Sequence, residues 1–226
     1  MARRYDPEAT RADILTAAER IFAEKGFARA STQEVATAAG VSQSQIHYHF
    51  GSKEALWEAT HERAFRDYYQ VQVEILTGAL GPEENRLSRS VEAYFRFFQS
   101  HPSFARMFMH NLLEGGDLGG DQGDHLSRLG AAVVKAEQEA GTLRSDVEPS
   151  FVVLSFLGLV SFWFMSREGF LPKFGLPGSP EDWDATYLDT IQKILLTGVV
   201  PPDSGDGTCA SPETDALTEV PEPGSE

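Results

Sequence analysis

The 226-residue sequence has one cysteine, Cys209. One thiol builds neither a disulfide framework nor a cysteine-based zinc site, and its scarcity suits a reducing, cytoplasmic compartment. Sustained period-2 alternation bounded by hairpin turns is missing, which argues against a sheet. The opening Met1-Ala-Arg-Arg-Tyr-Asp-Pro-Glu is not followed by an apolar run, so a secretory signal is not expected. There is no Gly-x-Ser-x-Gly, phosphate loop or dinucleotide fingerprint. The six histidines show no i, i+4 pairing with one another, so no metal and no cofactor are expected. The Gly/Asp-rich stretch 115–124 resembles a calcium loop only in composition. It lacks the closing glutamate pattern and reads as a flexible connection.

Basic residues are also scarce: 19 Lys and Arg face 34 Asp and Glu, a net charge of −15. That total argues against a nucleic-acid partner until its distribution is considered. Residues 1–53 carry seven bases and six acids, whereas 201–226 carry seven acids and no base. Whole-chain acidity therefore says little about one face near the amino end. Hydrophobic residues make up 41% of the chain and include 15 Phe, enough for a sizeable core.

Helical periodicity runs nearly throughout, and the expected class is all-α. Pro7 suits a first helical position. Ile14, Ala17, Ala18, Ile21 and Phe22 form an apolar stripe that Gly26 ends. Ser31-Thr-Gln-Glu34 is a capping box opening a second short helix, closed by Gly40. Ser42-Gln-Ser-Gln45 opens a third, held inward by Ile46 and Phe50 and stopped by Gly51. Ser52 caps a longer fourth helix to about Thr77, with Leu56, Trp57, Phe65 and Tyr69 as expected buried positions. After a break at 78–82, helices are expected near 83–100, 102–115, 124–140, 149–168 and 180–198. The segment from Pro201 is poor in hydrophobes and reads as a disordered acidic tail.

Two short helices joined by a tight glycine turn make a helix-turn-helix pattern. Small Ala36 and Ala39 allow close crossing. The third helix then turns Gln43, Ser44, Gln45, His47, Tyr48 and His49 outward. None is acidic, and glutamine, serine and tyrosine suit base edges in a major groove. Thr32, Gln33 and Lys53 lie at helix starts, where free N–H groups favour a phosphate.

The stretches Ile14-Leu-Thr-Ala-Ala-Glu-Arg-Ile-Phe-Ala-Glu-Lys-Gly-Phe27, Ser31-Thr-Gln-Glu-Val-Ala-Thr-Ala-Ala-Gly-Val-Ser42 and His47-Tyr-His-Phe-Gly-Ser-Lys-Glu-Ala-Leu56 resemble the TetR-type transcriptional regulators. The resemblance covers about a quarter of the chain. It implies a homodimer on a near-palindromic operator, with Gln43, Ser44, Gln45 and Tyr48 facing bases. Thr32, His47, His49 and Lys53 would face phosphates, and Gln33 either. Ser44 and Gln45 are bulkier than the residues common at those places in the family.

The organisation expected is a helix-turn-helix DNA-binding domain at 1–52, a helical effector-binding and dimerisation domain at 53–200 bridged by the helix 53–77, and the tail 201–226. Pro149 to Ser166 has no charge across eighteen residues. Serines interrupt it and no basic cluster flanks it, so a helix buried on nearly all sides is expected rather than a membrane span. Ser155, Gly158 and Ser161 form a small-residue strip along it, open to the approach of another helix or a ligand. The expected intersubunit seam comprises Leu154, Phe162, Trp183, Tyr187, Ile191, Ile194 and Leu195. An apolar or aromatic effector is expected to meet Phe95, Phe98, Phe104, Phe108, Met109, His110, Phe156 and Trp163. The function expected is a ligand-released repressor rather than an enzyme. The rival is a helical small-molecule enzyme or carrier that does not bind DNA, which would have no need of the acid-free face at 43–49.

Overall fold

A computed structural model describes residues 6–79, 86–116 and 120–199. The acidic tail, Cys209 and the expected helix start at 83–85 lie outside these residues. Among those described there are helices and no strand. The order is α1 (Pro7–Arg29), α2 (Thr32–Ala39), α3 (Gln43–Phe50), α4 (Lys53–Thr77), α5 (Arg86–Ser100), α6 (Pro102–Leu113), α7 (Gly120–Glu139), α8 (Pro149–Phe170) and α9 (Asp184–Val199). Two 3-10 turns, Leu171–Phe174 and Pro180–Trp183, separate the last two.

Local chemistry sets the boundaries. The Asp6 carboxylate accepts from the Glu8 and Ala9 amides at 3.0 and 3.2 Å, starting α1. Gly26, at φ 73° and ψ 173°, breaks α1 one turn before its end. A side chain there would meet α6, since a Cβ would lie 2.9 Å from Glu114 Oε1 and 3.0 Å from His110 Nδ1. At α2, Ser31 Oγ accepts from the Glu34 amide (3.2 Å) and Glu34 Oε2 from the Ser31 amide (3.0 Å). Gly40 then takes the left-handed conformation, and the Val41 amide donates to Ala36 O at 3.0 Å.

The Ser31 cap yields a direct test. Ser31→Ala should cost the head about 1 kcal/mol, read by chemical denaturation. Glu34 also pairs with Lys25, and this contact with the serine holds its carboxyl below the usual glutamate range. A lowered folded pKa stabilises above the unfolded value, and that stabilisation is lost as pH falls through the lowered one. The gap between wild type and Glu34→Gln should therefore close in acid.

Two hydrophobic cores form. The first joins Ile14, Ala18 and Phe22 of α1 to Val35, Ala36, Ile46 and Leu56, and it takes in Met107 from α6. The second gathers α4 through α9 around Phe65, Tyr94, Phe98, Phe104, Phe156 and Ile191. Three expectations change. Along α4 the inward stripe runs Phe65, Tyr68, Gln72, Ile75, so Tyr68 is buried. Tyr69 falls at its edge, its hydroxyl 2.7 Å from His125 Nδ1. Helix α7 starts at Gly120, not 124, with Asp121 in its first turn where the helix dipole favours an acid. Helix α8 is buried on one side only and leaves Phe151, Leu154, Phe162 and Met165 exposed. With the following turn it is long and apolar enough to cross a membrane by length and composition, but its inner side packs into the second core.

Candidate nucleic-acid interface and ligand cavity

Helix α3 is fixed from below by Ile46, which is fully buried, and its outer side is open. Tyr48 is 76% exposed. Gln43 and Ser44 are exposed, and Gln43 Nε2 donates to Thr32 Oγ1 at 3.0 Å, joining the starts of α2 and α3. Gln33 is exposed alongside. His47 is exposed with Nδ1 3.0 Å from Gly51 O. The carbonyl can only accept, so Nδ1 carries the proton and Nε2 points elsewhere. Lys53 lies over the Phe27 ring at 4.4 Å, its Nζ 3.4 Å from Ala28 O.

Two expected outward residues differ. Gln45 is half-buried because its Oε1 accepts from the Ser42 amide at 3.0 Å, closing the cap. His49 is half-buried, and its Nε2 is shielded with no hydrogen-bond partner among the described residues. That nitrogen faces protein instead of a phosphate. Arg11 is a surface cation that local sequence reading missed. Its guanidinium lies 5.1 Å from the Phe50 ring centroid, beside the end of α3. Only tertiary packing brings residues 39 positions apart together.

A cavity of about 480 Å³ opens among α4 to α8. Phe98, Phe104, Phe108 and Phe156 line it, as do Gly158 and Ser161 of the small-residue strip. Four expected lining residues lie elsewhere. Phe95 packs on Phe164, with ring centroids 4.9 Å apart. Met109 packs against the second core outside the cavity. His110 faces Gly26 of α1. Trp163 stacks on Tyr187 at 4.1 Å and donates to Asp184 Oδ1 at 2.7 Å. Two walls were missed: α7, with Leu126, Val133 and Val134, and α4, which contributes His61, Phe65, Tyr68 and Gln72. The α4 spacing of four, three and four residues was a readable helical stripe. Burial pushes the hydroxyls of Tyr68 and Tyr94 well above the usual phenol range, so both stay neutral.

The expected seam also divides. Leu154, Phe162 and Ile194 are 61%, 50% and 59% exposed. Ile191 and Leu195 are buried within the chain's own core and cannot reach a partner. Trp183 and Tyr187 are half-buried and engaged internally. Trp183 Nε1 donates to Pro177 O (2.8 Å), and Tyr187 Oη donates to Leu159 O (2.9 Å).

Residues 14–60 match the model of bacterial regulatory proteins of the tetR family, and 87–181 match a tetracyclin repressor-like C-terminal domain. The HTH-type transcriptional repressor NicS of Pseudomonas putida is 25% identical over 204 residues, covering 87% of this chain and 95% of NicS. The regulator TtgR of Pseudomonas putida is 43% identical over 68 residues, 27% of this chain and 32% of TtgR. The solved structure of a transcriptional regulator, SCO4942 from Streptomyces coelicolor, superposes with a TM-score of 0.64 at 20% identity, covering 82% of this chain and 97% of that one. It shares the fold.

Proposed function

Because this chain belongs to the tetR family of bacterial regulatory proteins, we propose that it represses transcription in the cytoplasm as a homodimer on a near-palindromic operator and lets go when a small molecule fills the cavity. The observation that carries this reading is the exposed, acid-free outer side of α3 on a head whose core includes a residue from a cavity helix. Gln43, Ser44 and Tyr48 meet base edges in the major groove. Thr32, Gln33, His47 and Lys53 hold the backbone. The reading head spans 1–52, and α4 joins it to the sensing and dimerising part, 53–200. On its family the chain is read as a regulator rather than a catalyst. That NicS is named a repressor supports the sign of the regulation.

Helix α6 supplies the coupling. Phe104 and Phe108 line the cavity, while Met107 is fully buried in the head core. A ligand that moves α6 therefore moves the floor under α1. By linkage, the effector binds DNA-free protein more tightly by the factor by which it weakens DNA binding.

The test is a salt-dependent mobility shift with the DNA flanking the protein's own gene. Affinity should fall steeply with salt as counterions are released, and a flat plot would favour the enzyme or carrier. Gln43→Ala should lose about 1–3 kcal/mol of discrimination at its base, while Lys53→Ala should weaken all sequences alike and reduce the salt slope by about one.

A further inference from the structure

From the lining chemistry we infer that the cavity selects an uncharged, mainly apolar molecule bearing one hydrogen-bond acceptor such as a ketone or ester. This rests on the reading of the cavity as the effector site and narrows it. Among the described residues the wall has no lysine or arginine. Its two carboxylates already have partners: Glu137 accepts from Arg86 Nε at 3.1 Å, and Asp124 pairs with Arg128 at 3.4 Å. Among the described residues a ligand anion would lose its water and meet no lysine or arginine; a ligand cation would find Glu137 paired with Arg86 and Asp124 out in solvent beside Arg128. The His61 ring on the wall is stacked among aromatics, 5.6 Å from Phe65 and 4.8 Å from Phe104.

The deep polar groups differ in what they can offer. Gln72, 2% exposed, donates from Nε2 to Ser90 O (2.9 Å) and accepts at Oε1 from Ser90 Oγ (2.8 Å). Gln72 and Ser90 therefore satisfy each other, while the Tyr68 hydroxyl on the wall keeps its own proton. Tyr94 and Ser161 are different: their oxygens are 3.1 Å apart. Two hydroxyls share one hydrogen bond, so one proton remains to be turned toward a ligand oxygen. Both residues are buried on the wall, beside Phe98 and Phe156. The site thus presents a donor in an aromatic box.

The experiment is calorimetric titration of the full chain with four probes of one shape: methyl naphthyl ketone, naphthoate, naphthylmethyl trimethylammonium and methylnaphthalene. The ketone should bind once per chain, and both ions at least about tenfold more weakly. The double variant Tyr94→Phe/Ser161→Ala should weaken the ketone toward the affinity of methylnaphthalene while leaving the hydrocarbon unchanged. Val133→Trp, at a half-buried position of α7 on the wall, should block every probe. Naphthoate or the ammonium binding as tightly as the ketone, ketone binding indifferent to the blocking variant, or no ketone binding at all would each overturn the inference. Ketone binding without release of operator DNA would support the ligand class and overturn the effector reading instead.

Discussion

Asp184→Ala should lower stability by about 3 kcal/mol or more, the cost of stranding one half of a buried ion pair. Asp184 is 2% exposed and begins α9. Its Oδ1 accepts from Trp163 Nε1 at 2.7 Å and from Arg167, and its Oδ2 from Gln99 Nε2 at 3.0 Å. One carboxylate therefore ties α5, α8 and α9 together. Arg167 is itself largely buried and lies 4.8 Å from the Phe164 ring. Removing the carboxylate leaves an indole N–H and an amide without their acceptor in a desolvated place, and the guanidinium with only the exposed Glu181 at 3.4 Å. The melting temperature should fall by about 6–12 °C for a chain of this size. Asp184→Asn keeps an acceptor for Trp163 but loses the charge facing Arg167, and should fall part of the way. Adding Arg167→Met to Asp184→Ala should recover much of the loss, because the stranded charge goes with its partner. If Asp184→Ala melts within 2 °C of wild type, the carboxylate is not the tie described.

This hub also shows where sequence reading stops. Capping boxes, glycine stops and apolar stripes are local, and they carried the reading head: Ser31 with Glu34, Gly40, and Ile46 as the inward anchor were all legible. The cavity was half legible. Phe98, Phe104, Phe108 and Phe156 were expected there on aromatic content. Composition does not tell which side of α5 or α8 a ring takes, so it does not separate Phe95 and Trp163, which pack elsewhere, from the cavity rings. Trp163 turns toward Asp184, a partner 21 residues away that no periodicity announces. The same limit applies to α8. With apolar residues on every side, its sequence does not mark the outward face, and a helix buried all round was expected. In the single chain, Phe151, Leu154, Phe162 and Met165 stay open to solvent.

That open face makes the second large effect a matter of assembly. We expect Leu154→Glu/Phe162→Glu to be monomeric by sedimentation and to bind operator DNA more weakly by at least about a hundredfold. Exposed side chains this large are what a partner would cover, and a stable interface buries about 1,200–2,000 Å² in all. Ile194 on α9 extends the same kind of surface. Two glutamates facing their own copies across a two-fold axis combine charge burial with repulsion, and a two-fold seam doubles every defect. The loss in DNA binding follows because one reading head engages one half-site, while two held about 34–36 Å apart engage both. Residual binding should keep about half the wild-type salt slope, since half the phosphate contacts remain. Both substituted positions are exposed in the single chain, so helical content should be unchanged. A dimer that survives this substitution would move the seam to another surface. A monomer that binds the operator at full strength would remove the two-fold geometry from the account of recognition and leave α3 to act alone.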